Sequence, residues 1–328
     1  MYFLQTHRAI IDKINNFGKN NIPFVLFVDF LMNKTHCFTL EELEVSGVEI
    51  SFPQFKSGQM TDGRCQEKVE IEKKNISFDE YEKGFNVVKK QLDYGNSYLT
   101  NLTFTTPIET KNSLQEIFQS AEAKYKINFK NEWICFSPET FIKIEDGKIF
   151  SFPMKGTIDA SLENAEQLIL NDEKETAEHY TIVDLIRNDL SIVATNVHVE
   201  KFRFIDTIKT SNKTLLQISS KIVGDLPTHY LEQLGHLIFS LLPAGSISGA
   251  PKKKTIEIIQ AAEKDDRGFY TGTCFYFDGA TIDSCVLIRF IEQTTNGLVY
   301  KSGGGITINS EVEKEYQELI DKIYVPTL

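Results

Sequence analysis

The stretch TFIKIEDGKIFSF, residues 140–152, is two runs of alternating apolar residues folded back on each other around Asp146-Gly147. A two-residue hairpin turn needs positive φ at both central positions, which aspartate tolerates and glycine adopts freely. The same grammar recurs in GTCFYFDGATIDSCVLIRF (272–290) around Asp278-Gly279, and in VLIRFIEQTTNGLVYKSGGG (286–305) around Asn296-Gly297. Adjacent hairpins build antiparallel sheets. Helical periods lie between them at 161–190, 229–242, 251–264 and 311–324, without the strict βαβα alternation of a doubly wound fold. The chain is therefore predicted to be α+β, with packed antiparallel sheets flanked by helices.

Working outward, IPFVLFVDF (22–30) reads as a buried strand. SFDEYEKGFNVVKKQLDYG (77–95) reads as a helix capped by Ser77, with Glu80 completing a capping box. The polar stretch 56–76 between them marks the expected boundary. It separates a short N-terminal region, 1–74, which would complete the sheets, from a main catalytic domain, 75–328. A net charge of -11 argues against nucleic acid as a partner, because phosphate binding needs a basic surface. The five cysteines form no CxxC pair, which points away from a zinc site or a disulfide framework. No apolar run is long enough to span a bilayer and the first residues do not read as a signal peptide, so a cytoplasmic, membrane-free protein is expected.

Several charged groups stand where apolar ones belong. In KETAEHYTIVDLIRNDL (174–190), Glu175 and Glu178 continue the stripe of Ile182, Leu185 and Ile186; the bland alternative is a helix end emerging into solvent. In EVEKEYQELIDKI (311–323), Glu315, Glu318 and Lys322 share a face, which by itself reads equally as an i,i+4 ion pair. If the two helices face each other, four carboxylates converge and repel unless a cation lies among them. Hard oxygen ligands without histidine spacing point to Mg²⁺. In SFPMKGTIDA (151–160), Lys155 lies within an apolar run.

Gly303, Gly304 and Gly305 are expected to let the backbone turn and aim N–H groups at an anion; a β-bulge would explain them as well. The loop LLPAGSISGAPKKKTIEII (241–259) runs into a helix but is no P-loop, because three residues, not four, separate Gly245 and Gly249. Arg289, in an apolar strand reading, needs either an acidic partner or a substrate carboxylate. Tyr270 could serve the same anion.

The motifs CFSPETF, PMKGT, ETAEHYTIVDLIRNDLS, PAGSISGAPK, RGFYTG, VLIRF and GGGITINSEVEKEYQELIDK stand together in this order. From about residue 78 onward the chain resembles the chorismate-utilising enzymes. This resemblance implies two antiparallel sheets packed with helices outside, and Mg²⁺ with chorismate as substrate. It implies Glu178 and Glu318 as direct Mg²⁺ ligands, with Glu175 and Glu315 helping through waters. Tyr270, Arg289 and the backbone of Gly303–Gly305 would hold the enolpyruvyl carboxylate. Lys322 and the metal would take the ring carboxylate. Thr157 and Ser248, the latter usually threonine in this family, would also face the substrate.

Among family members, PMKGT is most similar to the aminodeoxychorismate synthase component I proteins; anthranilate synthases carry alanine where Lys155 stands. This implies addition of ammonia to chorismate at C4, via a Lys155 adduct at C2, with Glu139 protonating the leaving hydroxyl. The product would be 4-amino-4-deoxychorismate for p-aminobenzoate and folate. Burial and the nearby metal are expected to lower the Lys155 pKa. Leu99 stands where isochorismate and salicylate synthases have a water-activating lysine, and Gln217 replaces a family histidine tied to pyruvate elimination. No LLES motif for regulatory tryptophan occurs, and no cysteine lies in a GxCxG motif. Ammonia is expected from a separate glutamine amidotransferase subunit. The alternatives are anthranilate synthase component I and a non-catalytic chorismate-binding subunit.

Overall fold

The computed structural model describes residues 7–58, 69–209 and 214–327. The polar boundary stretch lies partly outside them, at 59–68. Two nine-stranded antiparallel sheets form the molecule. In spatial order the first runs Met154–Asp159, Thr214–Asp225, Lys148–Ser151, Thr140–Glu145, Ile282–Val286, Thr273–Phe277, Phe24–Val28 and Thr35–Thr39, and Thr195–Lys209 also pairs with Thr214–Asp225. The second runs Gly249–Ala250, Leu99–Glu109, Gly297–Ile306, Phe290–Thr294, Trp133–Ser137, Tyr125–Phe129, Val48–Phe52 and Phe55–Ser57, with Glu72–Lys73 also pairing to Leu99–Glu109. Strands before residue 58 thus join both sheets.

The Phe24–Val28 strand is buried on both faces. Phe24, Leu26 and Val28 pack toward the Arg8–Lys19 and Leu234–Leu241 helices, while Val25 and Phe27 meet Ile50, Trp133, Cys135 and Leu287 between the sheets. Period-two alternation delivers one set to each core, so no polar face remains. The Phe78–Asp93, Lys252–Ala262 and Val312–Asp321 helices cover the second sheet, packing Tyr81, Val88, Ile258 and Leu319 on Leu102 and Ile306.

Local signals hold with instructive shifts. Asp146 (φ 50°) and Gly147 (φ 70°) form the expected turn. The second hairpin closes with four residues, 278–281, because the Asp278 carboxylate accepts from the N–H groups of Ala280 and Thr281. The third turns at Thr295-Asn296, with Gly297 already paired to Thr294. The 161–190 period is two helices, Ala165–Asn171 and Glu173–Leu190, separated by Asp172, which caps the second by accepting from Glu175 N–H at 2.8 Å. Ser77 caps its helix, but the Glu80 carboxylate binds Lys264 at 2.7 Å, so the box is half made. Complete boxes occur at Thr39–Glu42 and Ser113–Glu116.

Candidate active site at the seam of the two sheets

The sheets are joined where two chain segments cross side by side. One passes from Ser137 to Thr140, the other from Val286 to Phe290. The crossings hydrogen-bond to each other: Phe136 N–H donates to Arg289 O (3.1 Å) and Val286 N–H to Glu139 O (3.2 Å). VLIRF is therefore not one strand. Arg289 adopts φ 56° at the corner, a costly conformation for a non-glycine residue that its surroundings must enforce.

Arg289 Nε is buried without a hydrogen-bond partner, and no carboxylate pairs with this guanidinium among the described residues. It lies 5.1 Å from the Tyr324 ring centre. No internal salt bridge engages it among the described residues, so its N–H fork is a candidate grip for an anion. Tyr270 is 5% exposed with its ring 6.0 Å from that of Phe290, and burial pushes its hydroxyl pKa up, keeping it a proton donor. Glu139, on the other crossing, accepts from Ser246 Oγ at 2.7 Å. Burial raises its pKa, and the Ser246 hydroxyl and the charges of Arg289 and Lys322 oppose this only in part. It is thereby held toward the protonated form.

The Met154–Asp159 strand brings Lys155 into an ion pair with the buried carboxylate of Glu178. A bulge between Lys155 and Thr157 leaves Gly156 at φ 74°, where a Cβ would lie 3.3 Å from Glu175 Oε2. From the facing helix come Glu315, 5% exposed, and Glu318, which pairs with Lys322 at 2.6 Å. Lys322 also donates to Gly303 O at 2.9 Å. Glu318 acts electrostatically on both Lys155 and Glu175, so the two helices share one field.

Burial, and then the neighbouring acids Glu178, Asp172 and Glu318, push the Glu175 pKa up against Lys155. Among the described residues no three side chains stand arranged to hold a metal ion; the two lysines lie among the acids instead. The donor set nevertheless fits Mg²⁺: the oxygens are hard, and Glu175 Oε2 is buried with no hydrogen-bond partner. The expectation of a depressed Lys155 pKa is corrected. Burial is the largest influence and acts downward, but Glu178, with Glu175 and Glu318, outweighs it and holds the pKa above the usual lysine range.

Other expected residues separate here. Gly303–Gly305 do not turn; they continue the strand, paired with Thr103, Leu102 and Asn101. A Cβ on Gly303 would meet Leu102 O at 2.5 Å, whereas one on Gly304 would point toward Glu318, Glu315 and Lys322 at 3.5–3.7 Å. Gly304 is thus the open floor of the site. Ser248 does not face a ligand: it is fully buried and donates to Ala244 O at 2.8 Å, within its own turn. Thr157 is exposed and accepts from Gln217 Nε2 at 3.4 Å. Leu99 is buried beside Gly305.

Two residues escaped sequence reasoning. Ser246 holds Glu139, and a serine in a small-residue loop carries no pattern. His179, next to Glu178, is 1% exposed, with Nε2 2.7 Å from Ser220 Oγ; burial, Arg203 and Lys155 lower its pKa to about 4. It lies within an apolar stripe and gives no spacing signal.

The model of the chorismate binding enzyme family matches residues 27–327. An uncharacterized PabA-like protein of Pasteurella multocida is 46% identical over 318 residues, 97% of this chain and 98% of that one. Aminodeoxychorismate synthase component 1 of Klebsiella aerogenes is 29% identical over 264 residues, 76% of this chain and 57% of that protein. The crystal structure of anthranilate synthase component I from Streptococcus pneumoniae superposes with TM-score 0.65 at 23% identity, covering 80% of this chain and 60% of that one. With this match over nearly the whole chain, the chain belongs to the chorismate-binding enzymes.

Proposed function

We propose that the chain aminates chorismate with ammonia to give 4-amino-4-deoxychorismate. The observation that supports this most is Lys155, a half-buried amine paired with the Glu178 carboxylate. Arg289, Tyr270 and the Gly304 floor receive the enolpyruvyl carboxylate, and Lys322 the ring carboxylate. Mg²⁺ held by Glu178 and Glu318, with Glu175 and Glu315 through waters, would neutralise the cluster and polarise the ring carboxylate. With those acids engaged, burial would be the main influence left on Lys155, and burial favours the neutral amine.

Neutral Lys155 Nζ then bonds to C2 and both ring double bonds shift round the ring toward C4. The C4–O bond breaks, and Glu139 supplies the proton that lets hydroxyl leave as water. Ammonia next bonds to C4, both double bonds shift back and the C2–N bond breaks, returning Lys155. We propose that a separate glutamine amidotransferase subunit supplies the ammonia.

The test incubates the protein with chorismate, Mg²⁺ and ammonium, then adds an aminodeoxychorismate lyase. p-Aminobenzoate appearing only after the lyase supports the reading; fluorescent anthranilate without it overturns the choice in favour of the anthranilate synthase alternative. Lys155→Ala is expected to lower ammonia-dependent turnover by about 10²–10⁴-fold, the range for a group acting directly in the chemical step. Unchanged turnover in a steady-state assay removes the covalent route.

A further inference from the structure

We propose that Asp189 is a positioning residue for the Glu139 carboxyl, acting through the Gly245–Ser248 turn. This rests on the reading of Glu139 as the acid. The Glu173–Leu190 helix carries Glu175 and Glu178 at its start and Asp189 in its last turn, 8% exposed. Asp189 pairs with Lys252 at 2.9 Å, and Lys252 donates to Leu241 O at 2.8 Å, so one contact grips both ends of the loop between them. The same carboxylate lies directly against Gly245, where a Cβ would sit 2.5 Å from Asp189 Oδ2. The next residue is Ser246, which donates to Glu139 Oε1 at 2.7 Å.

The turn has no slack with which to absorb a displacement. Ser248 closes it on Ala244 O, and Arg267 Nη1 holds Ile247 O at 3.0 Å. Ile186, one turn before Asp189, lines the same small cavity as Glu139, Ser246, Phe152 and Pro153. A buried ion pair alone reads as structural. Here its acidic member also packs on Gly245, directly before the hydroxyl that orients Glu139. One helix then sets both the cluster around Lys155 and the acid across the site. The charged groups facing Glu139 are Arg289, from its own seam, and Lys322, from the last helix.

The experiment compares Asp189→Asn, Ser246→Ala, their double variant and Ser246→Thr in the full chain. The Glu139 carboxyl is followed by infrared difference spectroscopy against Glu139→Gln, without substrate. Asp189→Asn and Ser246→Ala are each expected to move its titration to higher pH, because a hydrogen bond to the carboxylate is lost. The double variant is expected to move it no further than Ser246→Ala alone, and Ser246→Thr to restore it. In turnover, kcat falls about tenfold with KM for chorismate within twofold, because a mispositioned acid costs part of the proton-transfer gain. Independent, multiplying effects of the two single variants overturn the proposal. So does an Asp189→Asn protein that melts earlier while Glu139 titrates as in the wild type. Should Asp189→Asn fail to fold, Gly245→Ala perturbs the same contact and is read the same way. If the wild type yields no amination product, the functional reading fails, yet the infrared titration still decides the coupling.

Discussion

Position 139 combines a raised carboxyl pKa with a single hydroxyl donor, and both follow from its place on the seam. As a general acid it must be protonated, so activity is expected to fall as pH rises through its raised pKa. Glu139→Gln should lose about 10²–10⁴-fold in kcat and also that alkaline limb, measured as a pH–rate profile. His179 acts on stability with the opposite sign. Its folded pKa of about 4 lies below the unfolded value of 6.5, so its contribution is complete above pH 6.5 and is lost as pH falls toward 4. Over that window the metal-free protein is expected to lose about 3 kcal/mol through this residue. Urea melts of wild type and His179→Gln at pH 7 and pH 4.5 check it; the variant's curve should be the flatter. Lys155 and Arg289 stood out as candidates in the sequence because each is a charge among apolar neighbours, and the acids because two E-x-x-E pairs recur on separate helices. Ser246 and His179 were not, since a small hydroxyl in a loop and an imidazole in an apolar stripe break no pattern.

The three glycines show how element-level reading succeeds on residue type and fails on geometry. A glycine run suggests a turn, yet long-range pairing with the Leu99–Glu109 strand keeps 303–305 extended. What the missing Cβ atoms provide is closeness on one side and openness on the other. Gly303→Ala, at 2.5 Å from Leu102 O, is expected to destabilise by about 1–3 kcal/mol in denaturant unfolding. Gly304→Ala meets only ordinary contacts, so its stability should stay within about 0.5 kcal/mol. Its chorismate KM should nevertheless rise several-fold, because the methyl group fills the floor of the site. Calorimetric titration with chorismate distinguishes the two. The hairpins were legible because turn chemistry is local; the break at Asp172 was not, since helical period runs through a capping residue unmarked.

On the scale of the molecule, the α+β class and the antiparallel sheets follow from the hairpins. The joining of the sheets does not, because it depends on register between residues far apart in sequence, such as Phe290 with Cys135 and Cys285 with Thr140. The acid cluster draws on helices more than a hundred residues apart, so a shared cation would tie them together. At 100 times its Kd, Mg²⁺ is expected to stabilise the protein by about 2.7 kcal/mol, read as a rise in melting temperature that Glu178→Gln and Glu318→Gln abolish. An unmoved melting curve for the wild type, with and without chorismate, would count against the cation.

The paired crossings at 137–140 and 286–290 act as the fixed jaw of a vice. Glu139 and Arg289 ride on backbone that cannot shift without unzipping ladders in both slabs at once. The opposing jaw is the pair of outer helices, held mainly through side chains. Adjustment within the site is therefore expected on the side of Lys155 and those helices, while Glu139 and Arg289 stay where the weld has set them.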